Sequence, residues 1–494
     1  MDDPAASTPP TEGSGRTSSA TALQARHARL TVLALCFGGL SVAITQTLVI
    51  PIQQDLPRLL GSTAADTGWV VTITLFTGAV SMPVSGRLGD IYGRPRIVIA
   101  NAAMLALGSL VCALSSSLLP ILVGRGLQGL AMGFIPVGIA LVRDVTPPRM
   151  TGTAIAVMSS TMGVGAAIGL PLSAVIAEAF SWHALFWMST AVAGLLLIAL
   201  LAFLPRGTTT GGGSVDVIGA LLLAIGVVSL LLGISKGHQW GWTSGSTLGC
   251  VTGGLVVLIL WGAFEVRQRE PLVDLRSTAR RPVLFTNLAA FAVGFGMMTQ
   301  SIVVPQLLQL PASTGHGMGQ SMLATGLWMA PSGLMMMLFA PVSSRLMRDV
   351  GAKHTLMIGA VVIGAGYLIA LFLMSSPWQM MLATCIATAG VGIGYAAMPT
   401  LIMNNVEAEA AGSAVGVNAL GRSMGTTCAA ATMAMVLASS TTASGVPTRS
   451  GYELCFLIGA TASFAAALIV LLVPRADAAS SSALRRKGLT RVER

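Results

Sequence analysis

The sequence predicts an all-α polytopic membrane protein with fourteen transmembrane helices, arranged as two pseudo-symmetric six-helix bundles and two inserted helices. Three observations predict this fold class. The 494 residues are 54% hydrophobic and only 9% charged, whereas soluble chains carry about 25% charged residues. Long apolar segments recur along almost the whole chain. Several motifs of the first half also return, in the same order, in the second half.

Each apolar segment is long enough to cross the hydrocarbon core of a bilayer, which takes roughly 20 residues of helix. Unpaired backbone groups are too costly in lipid for open strands, so each segment is predicted to be helical. The fourteen predicted spans are residues 29–51, 68–86, 97–116, 119–141, 153–177, 184–204, 216–235, 247–264, 284–308, 321–342, 354–374, 378–400, 412–438 and 453–474.

The spans divide the chain into five parts. These are a disordered cytoplasmic N-terminal tail (1–28), an N-terminal six-helix bundle (29–204), two inserted transmembrane helices with linkers (205–282), a C-terminal six-helix bundle (283–474) and a basic cytoplasmic C-terminal tail (475–494). The first tail is predicted to be disordered because it is rich in Ser, Thr, Ala and Pro and lacks an apolar run.

The basic residues predict the orientation. Most of the 28 lysines and arginines fall in segments on the same side as both termini, and basic loops stay on the cytoplasmic side. We therefore expect a multi-pass protein of the inner or plasma membrane with both termini in the cytoplasm. Topology accounts for the net charge of +10, so no nucleic-acid partner is expected. The six cysteines are scattered singly without metal-ligand spacing, which indicates small core residues and no metal site.

The internal repeat predicts the relation between the two bundles. Matching segments are "TQTLVIP" (45–51) and "TQSIVVP" (299–305), "PVSGRLGDIYG" (83–93) and "PVSSRLMRDVG" (341–351), and "GLAMGFIPVGIALVRDV" (129–145) and "GVGIGYAAMPTLIMNNV" (390–406). The offset between copies drifts slowly, from 254 to 258 to 261 residues. Spans one to six therefore correspond to spans nine to fourteen, and two related bundles around a central cleft are typical of secondary transporters.

Six segments of the sequence carry a family resemblance. They are "GRLGDIYGRPR" (86–96), "LVGRGLQGLAMG" (122–133), "GVGAAIGLPLSA" (163–174), "DVIGALLLA" (from 216), "PLVDLR" (from 271) and "GRSMG" (421–425). The chain resembles the major facilitator superfamily, and its fourteen spans are similar to the drug:proton antiporter branch of multidrug efflux type. The resemblance implies the major facilitator fold and export of amphiphilic drugs or metabolites by alternating access. It also implies a proton gradient as the energy source. No cofactor is expected, and no obligate protein partner is inferred.

The loop after span two is predicted to form a gate. Its residues are Gly86, Arg87, Gly89, Asp90, Gly93 and Arg94. Glycines at this spacing let helix ends approach closely and turn tightly, and the resemblance gives Asp90 and Arg94 a role in latching the inner gate. The alternative is a solvated loop whose arginines only set the topology. In span five, Gly163, Gly165, Gly169 and Pro171 form the antiporter-type helix that the resemblance assigns to sealing the outer gate.

Two arginines lie inside predicted spans. A charge is costly there and usually faces the bundle interior or a water-filled cavity, so Arg125 is predicted to line the substrate cavity, with Gln128 on its face. The alternative is a packing arginine satisfied by backbone carbonyls. Arg422 and Asn418 share a face of span thirteen and are further cavity candidates, although Arg422 also has the length to anchor at the interface.

The two repeated glutamines are predicted to bind substrate. Gln46 and Gln300 occupy equivalent positions in spans one and nine, where they are expected to face each other across the outer half of the cleft. The alternative is that each amide bonds a neighbouring helix. Relatives in this branch commonly carry an aspartate one turn deeper, and Val42 occupies that position here.

No acidic residue lies deep in a predicted span. A neutral or anionic amphiphilic substrate is therefore expected, with Arg125 as the fixed positive charge. The candidates for proton coupling are Asp66, Glu178 and Asp90. The alternative function is a facilitator or importer of a lipid-like or small metabolite on the same fold, without a deep coupling acid. The sequence holds neither a P-loop nor an HExxH motif, so an enzyme is not expected.

Overall fold

The computed structural model describes residues 14–50, 52–53, 55–205, 213–442 and 446–474. Fourteen long helices follow one another along this part of the chain. They are α1 (Ser14–Thr47), α2 (Trp69–Tyr92), α3 (Arg94–Leu114), α4 (Leu118–Val145), α5 (Pro148–Ala179), α6 (His183–Phe203), α7 (Val217–Trp240), α8 (Gly245–Glu265), α9 (Arg281–Gln309), α10 (Met322–Asp349), α11 (Gly351–Phe372), α12 (Pro377–Asn405), α13 (Ala411–Ser439) and α14 (Arg449–Leu471).

Thirteen helices in the described residues are long and apolar enough to cross a membrane. The fourteenth long helix, α13, has 29 residues but is less apolar, because Asn418, Arg422 and many Gly, Ser and Thr residues lie on it. It is nevertheless packed in the interior, because about half of its residues are buried and they are spread from Ala411 to Leu437. The order of helices confirms the predicted fold class.

The first tail differs from the expectation. Helix α1 begins at Ser14, inside the segment predicted to be disordered. Residues 14–28 contain no proline and include Ala, Leu, Gln and Arg, which are good helix formers, so the helix extends N-terminally from the span. The predicted C-terminal tail (475–494) and most of the linker between α6 and α7 (206–212) lie outside the described residues.

Side-chain caps mark where several helices start. A capping oxygen accepts a hydrogen bond from one of the first, otherwise unpaired, backbone N–H groups of a helix. The caps are Asp216 to Gly219 at α7, Ser244 to Thr247 at α8, Ser321 to Ala324 at α10 and Thr448 to Gly451 at α14. Each is a Ser, Thr or Asp directly before an apolar run, which is why the predicted starts of these spans lie close to the observed ones.

Helices α4 and α12, which correspond in the two halves, are both interrupted near their centres. A 3₁₀ turn covers Ala131–Gly133 in α4, and α12 is divided at Tyr395 and Ala396 into the helices Pro377–Gly394 and Ala397–Asn405. Each break is followed by a proline, at 136 and 399. A proline ring clashes with the carbonyl four residues earlier, which lies inside the break in both helices. Interrupted helices are typical of transporter binding sites.

The two bundles meet along two helix pairs. Helix α5 of the first bundle packs against α10 of the second, and α2 packs against α13. The inserted helices α7 and α8 form a hairpin (the α7–α8 hairpin), and α7 lies against α2 and α13. The far side of α8 is exposed, with Ile259 70% accessible, as expected of a lipid-facing surface. The hairpin therefore flanks the contact between α2 and α13.

Candidate functional site

The loop between α2 and α3 joins the two bundles. We call this end of the molecule the Asp90 end and the opposite end the Gln46 end. The Asp90 carboxylate accepts hydrogen bonds from the backbone N–H groups of Gly412 (3.1 Å) and Ser413 (2.8 Å) in the first turn of α13. The start of a helix attracts negative charge because its first N–H groups are unpaired. A carboxylate of the first bundle is thus held by a helix of the second.

Arg94 completes this contact. Its guanidinium donates to Asp90 Oδ1 (3.0 Å), to Asp144 at the end of α4 (2.6 Å) and to the backbone oxygen of Ala408 (2.6 Å). Both Asp90 and Arg94 are 8% exposed. Arg143 adds a bond to the backbone oxygen of Met403 in α12. We call Asp90, Arg94, Asp144 and the first turn of α13 the latch, because it ties three helices of one bundle to the other bundle.

The glycines of the loop fit the latch geometry. A side chain on Gly86 would collide with the backbone oxygen of Gly412 in α13, so the two bundles touch backbone to backbone there. Gly93 has a φ of +97°, a conformation that favours glycine, and it separates α2 from α3. Gly89 faces Val137 of α4. Arg87 does not join the latch and lies near Gly213 in the segment that leads to α7.

Arg125 is enclosed inside the first bundle. Its side chain is 1% exposed, and its guanidinium donates to the backbone oxygens of Val70 (3.0 Å) and Thr45 (3.3 Å). It also donates to Gln128 Oε1 (2.8 Å). Gln128 in turn donates to Ser109 (2.9 Å), which is linked to Ser189 and from there to Thr45. This polar network ties together α1, α2, α3, α4 and α6.

These bonds give Arg125 the arrangement that the sequence left open as an alternative, namely a packing arginine satisfied by carbonyls. Two of its acceptors are backbone oxygens, and the third belongs to a side chain that is itself buried. The guanidinium is therefore occupied inside one bundle in this conformation. Its predicted contact with substrate stays a prediction.

Arg422 occupies a different environment, between the two bundles. Its guanidinium carbon lies 4.4 Å from the ring centroid of Tyr395, at the break of α12. The hydroxyl of Tyr395 donates to the sulfur of Met162 on α5 (3.0 Å), so this ring spans the two bundles. Arg422 is the twelfth residue of α13, which places its Cα about 17 Å along the helix from the Asp90 end. Helix α9 approaches closely on the other side, at Gly294.

The guanidinium of Arg422 has no acidic partner. Among the described residues it makes no hydrogen bond or ion pair, and its one charge-related contact is the face of the Tyr395 ring. The side chain is half-buried. A half-buried guanidinium that is stacked on an aromatic ring and has unpaired N–H groups can bind a carboxylate or a phosphate group. Neighbouring Asn418 is committed instead to Asn287 of α9 (2.9 Å).

The two repeated glutamines lie on the Gln46 side of Arg422. Gln300 follows Gly294 by six residues, about 9 Å along α9, and its Nε2 donates to Thr388 of α12 (2.9 Å). Its Oε1 is buried without a hydrogen-bond partner, and so is Nε2 of Gln46 at the end of α1. Each amide therefore keeps one buried atom that no described residue satisfies. One unused donor and one unused acceptor are therefore buried on α1 and α9 in this conformation.

Helix α5 contacts both α1 and α10. Gly165 and Gly169 lie against Ala43 and Thr47 of α1, whereas Gly163 lies against Met336 of α10. Pro171 is inside the helix and contacts Gly326 of α10. Small residues let helices pack closely in a membrane, so α5 forms the tight seam between the bundles at the Gln46 end.

The predicted coupling acids lie at opposite ends of the molecule, Asp66 and Glu178 at the Gln46 end and Asp90 at the other. Asp66 is exposed in the turn before α2 and accepts from Thr63 (2.7 Å). Glu178 is in the last turn of α5, and its side chain lies outside the described residues. Asp90 belongs to the latch. Val42, where relatives carry an aspartate, is 2% exposed inside the first bundle. No three His, Cys, Asp or Glu side chains in the described ranges converge on a metal site.

Sequence reasoning did not find Tyr395, Met162, Asp144 or Thr388. Asp144 had a signal, because it directly follows a basic residue at the end of span four, at the same predicted end as Arg94. Tyr395 had a weaker one: it is an aromatic polar residue four positions before Pro399 in a span. Met162 and Thr388 look like ordinary apolar and small packing residues, so only the structure brings them to the site.

Comparison with known proteins decides the family. The model of the Major Facilitator Superfamily matches residues 35–430 and 286–493 of the sequence. The chain belongs to the major facilitator superfamily. The family places a transporter, and no enzyme, on this fold, in agreement with the sequence prediction.

Several relatives in the superfamily have descriptive names, among them a multidrug transporter and an antibiotic export protein. The multidrug transporter protein MdtP of Bacillus subtilis is 25% identical over 374 residues, covering 75% of this chain and 67% of its own. The tetracenomycin C resistance and export protein of Streptomyces glaucescens is 28% identical over 425 residues, covering 83% of this chain and 76% of its own. The chain spans between 55% and 92% of the length of the curated relatives it matches.

Solved structures show the same architecture. The crystal structure of the human organic anion transporter MFSD10 aligns with a TM-score of 0.64 at 17% identity, covering 90% of this chain and 99% of that chain. At this identity the likeness concerns the fold alone. The major facilitator fold that the family resemblance implies is thereby confirmed.

Proposed function

We propose that this protein is a secondary active exporter of amphiphilic small molecules, neutral or anionic, that exchanges them for protons. Its membership of the superfamily supports a transporter of small molecules in the bilayer. The names of its relatives, which include a multidrug transporter and an antibiotic export protein, favour export. Both named relatives match at least three quarters of this chain.

The observation that carries the substrate class is Arg422. A guanidinium with no acidic partner, half-buried between two bundles, attracts an anionic head group and repels a cationic one. The Tyr395 ring is buried against the guanidinium and positions it, whereas the partly exposed Met162 side chain offers an apolar, adaptable surface for the rest of the ligand. The unpaired amide atoms of Gln46 and Gln300 offer the ligand a donor and an acceptor on the Gln46 side of Arg422.

The two seams between the bundles support alternating access. The latch closes the Asp90 end through charged contacts, whereas α5 and α10 close towards the Gln46 end through small residues. Release of one seam while the other holds would expose the Arg422 layer to one side at a time. The basic residues at the Asp90 end support an orientation with that end, and both termini, in the cytoplasm.

Inside-out membrane vesicles from a strain without its own pumps test this function. The test compounds share one apolar body and carry a carboxylate, a neutral amide or a quaternary ammonium head. We expect proton-driven uptake of the carboxylate and amide compounds, abolished by an uncoupler. Uptake that ignores the uncoupler, or that occurs only in right-side-out vesicles, would point to a facilitator or an importer and overturn the proposal.

A further inference from the structure

The α7–α8 hairpin holds two neighbouring carboxyl groups, the half-buried Asp216 and the buried Glu265, which we call the hairpin carboxyl pair. Asp216 caps α7, with its Oδ1 accepting from the Gly219 N–H (2.8 Å). Glu265 is the last residue of α8 and is 1% exposed. Its Oε1 accepts from the Val273 N–H (2.7 Å). Each carboxyl therefore uses one oxygen to hold backbone.

The other oxygen of each group has no partner. Oδ2 of Asp216 and Oε2 of Glu265 are both buried, and neither accepts a hydrogen bond of good geometry. The indole N–H of Trp261 on α8 is directed at the Glu265 carboxyl but is itself buried without a well-placed acceptor. The two oxygens also surround the same point: a side chain on Gly219 would begin 2.5 Å from Oδ2 of Asp216 and 2.7 Å from Oε2 of Glu265. Only a glycine leaves room for both oxygens at this point. The sum of the two distances is the largest separation that Oδ2 of Asp216 and Oε2 of Glu265 can have.

No cation neutralises the pair. The charged groups on the elements packed around it are Arg87 and Asp90 on α2, Arg422 on α13 and, on the segment after α8, Arg267, Arg269, Glu270, Asp274, Arg276 and Arg280. Among the described residues none forms an ion pair with Asp216 or Glu265. Glu270 accepts from Ser214, whose backbone N–H and hydroxyl lower the pKa of the Glu270 carboxyl with help from Arg87.

We propose that Asp216 and Glu265 share one bound proton, so that the hairpin contains a protonation site. Two carboxylates whose free oxygens are buried beside one another cannot both ionise without a large cost, and one proton between them removes the repulsion. The protonated group donates O–H to the free oxygen of the other, which satisfies both unpaired atoms at once. A metal cation fits poorly, because Ca²⁺ takes six to eight oxygen ligands and only two oxygens are free here.

The proton stabilises the packing beside the latch. The Glu265 bond to Val273 holds this residue and Leu272 in an apolar cluster that also contains residues of α2, α7 and α13. Its buried members are Phe76, Ala79, Leu223, Val227, Leu231, Leu272, Val273 and Leu420. Loss of the proton would force the two carboxylates apart and loosen the hairpin from the α2–α13 contact. This proposal does not depend on the substrate or on the direction of transport.

Infrared spectroscopy of the purified protein, in a detergent without ester groups, tests the proposal. Near neutral pH we expect the carbonyl band of one protonated carboxyl group per chain, shifted in heavy water. Glu265→Gln and Asp216→Asn should each remove it. Glu265→Gln should keep the fold, since its amide donates to Asp216 as the shared proton does. Glu453→Gln, an exposed residue at the Gln46 end, should leave the band unchanged.

Thermal unfolding gives a second readout. Carboxyl groups of the unfolded chain have pKa values of about 4 and are already ionised near neutral pH. The folded protein keeps one proton there, so its unfolding midpoint should fall as the pH rises above the unfolded pKa. Glu265→Gln should flatten this dependence. The proposal is overturned if the wild-type protein shows no protonated carboxyl band, whether or not the variants fold. It is also overturned if the band persists in both variants, or if sodium ions at constant pH remove it.

Discussion

Replacing Arg422 separates substrate recognition from folding. Arg422→Gln removes the charge but keeps hydrogen-bond donors, and Arg422→Lys keeps the charge but loses the planar donor fork. Tyr395→Phe keeps the aromatic face beneath the guanidinium and removes the hydroxyl that bonds Met162. These three variants distinguish the contributions of charge, geometry and bundle contact at one site.

The magnitude follows from the environment of the guanidinium. Hydrogen bonds to charged groups contribute about 1.5–3 kcal/mol, and each 1.4 kcal/mol is tenfold in affinity. Arg422→Gln should therefore weaken binding of a carboxylate amphiphile by about 10- to 150-fold. Binding of the neutral amide compound should change by less than about fivefold, because it has no charge to lose. Arg422→Lys should weaken binding of the carboxylate compound by an intermediate factor. Tyr395→Phe should bind it with nearly wild-type affinity.

Binding to the purified protein is measured by calorimetry or fluorescence quenching, with the thermal-unfolding midpoint as the control for folding. Because the guanidinium makes no hydrogen bond with the described residues, the midpoint of Arg422→Gln should stay near the wild-type value. The reasoning is refuted if both compounds lose affinity equally in Arg422→Gln. It is refuted as well if the variant binds the carboxylate normally.

Three further perturbations test the latch and the internal arginine. Asp90→Asn should destabilise the closed Asp90 end by about 3 kcal/mol, because it removes the charge from a buried pair. The measurement is the rate of maleimide labelling of a cysteine introduced at the buried position Ala411, which should rise. An unchanged labelling rate contradicts the prediction. Gly86→Val should prevent closure and raise the same labelling rate, whereas Gly152→Val, at a glycine with open space around it, should not. Arg125→Lys should lower the unfolding midpoint by an amount equivalent to about 1–3 kcal/mol, because lysine leaves buried acceptors unpaired; transport lost at full stability would contradict a structural role.

The helices and their order were predictable because apolar length and internal repetition are properties of the sequence itself. Helix α13 was predicted as an apolar segment at 412–438, although its polar residues lower its hydropathy. The breaks in α4 and α12 were not predicted. They depend on prolines at 136 and 399 acting on backbone that already lies in a helix.

The candidate site was predicted less completely than the fold. The motif located Asp90 and Arg94, but the sequence does not show that the first turn of α13 is their partner, since these residues are more than 300 positions apart. Arg125 and Arg422 are both arginines in predicted spans. Only the structure shows that the carbonyls of Val70 and Thr45 occupy the first, and that the second keeps free donors beside an aromatic ring.

Proton movement in proteoliposomes tests the central claim most directly. Purified protein is reconstituted into vesicles that contain a pH-sensitive dye, and a proton gradient is imposed across the vesicle membrane. Addition of the carboxylate or the neutral amide amphiphile should start a proton flux, in wild-type protein, that the quaternary ammonium compound does not produce. Arg422→Gln should lose the flux with the carboxylate compound. An equal flux with all three compounds, or no flux with any transported compound, would contradict the account.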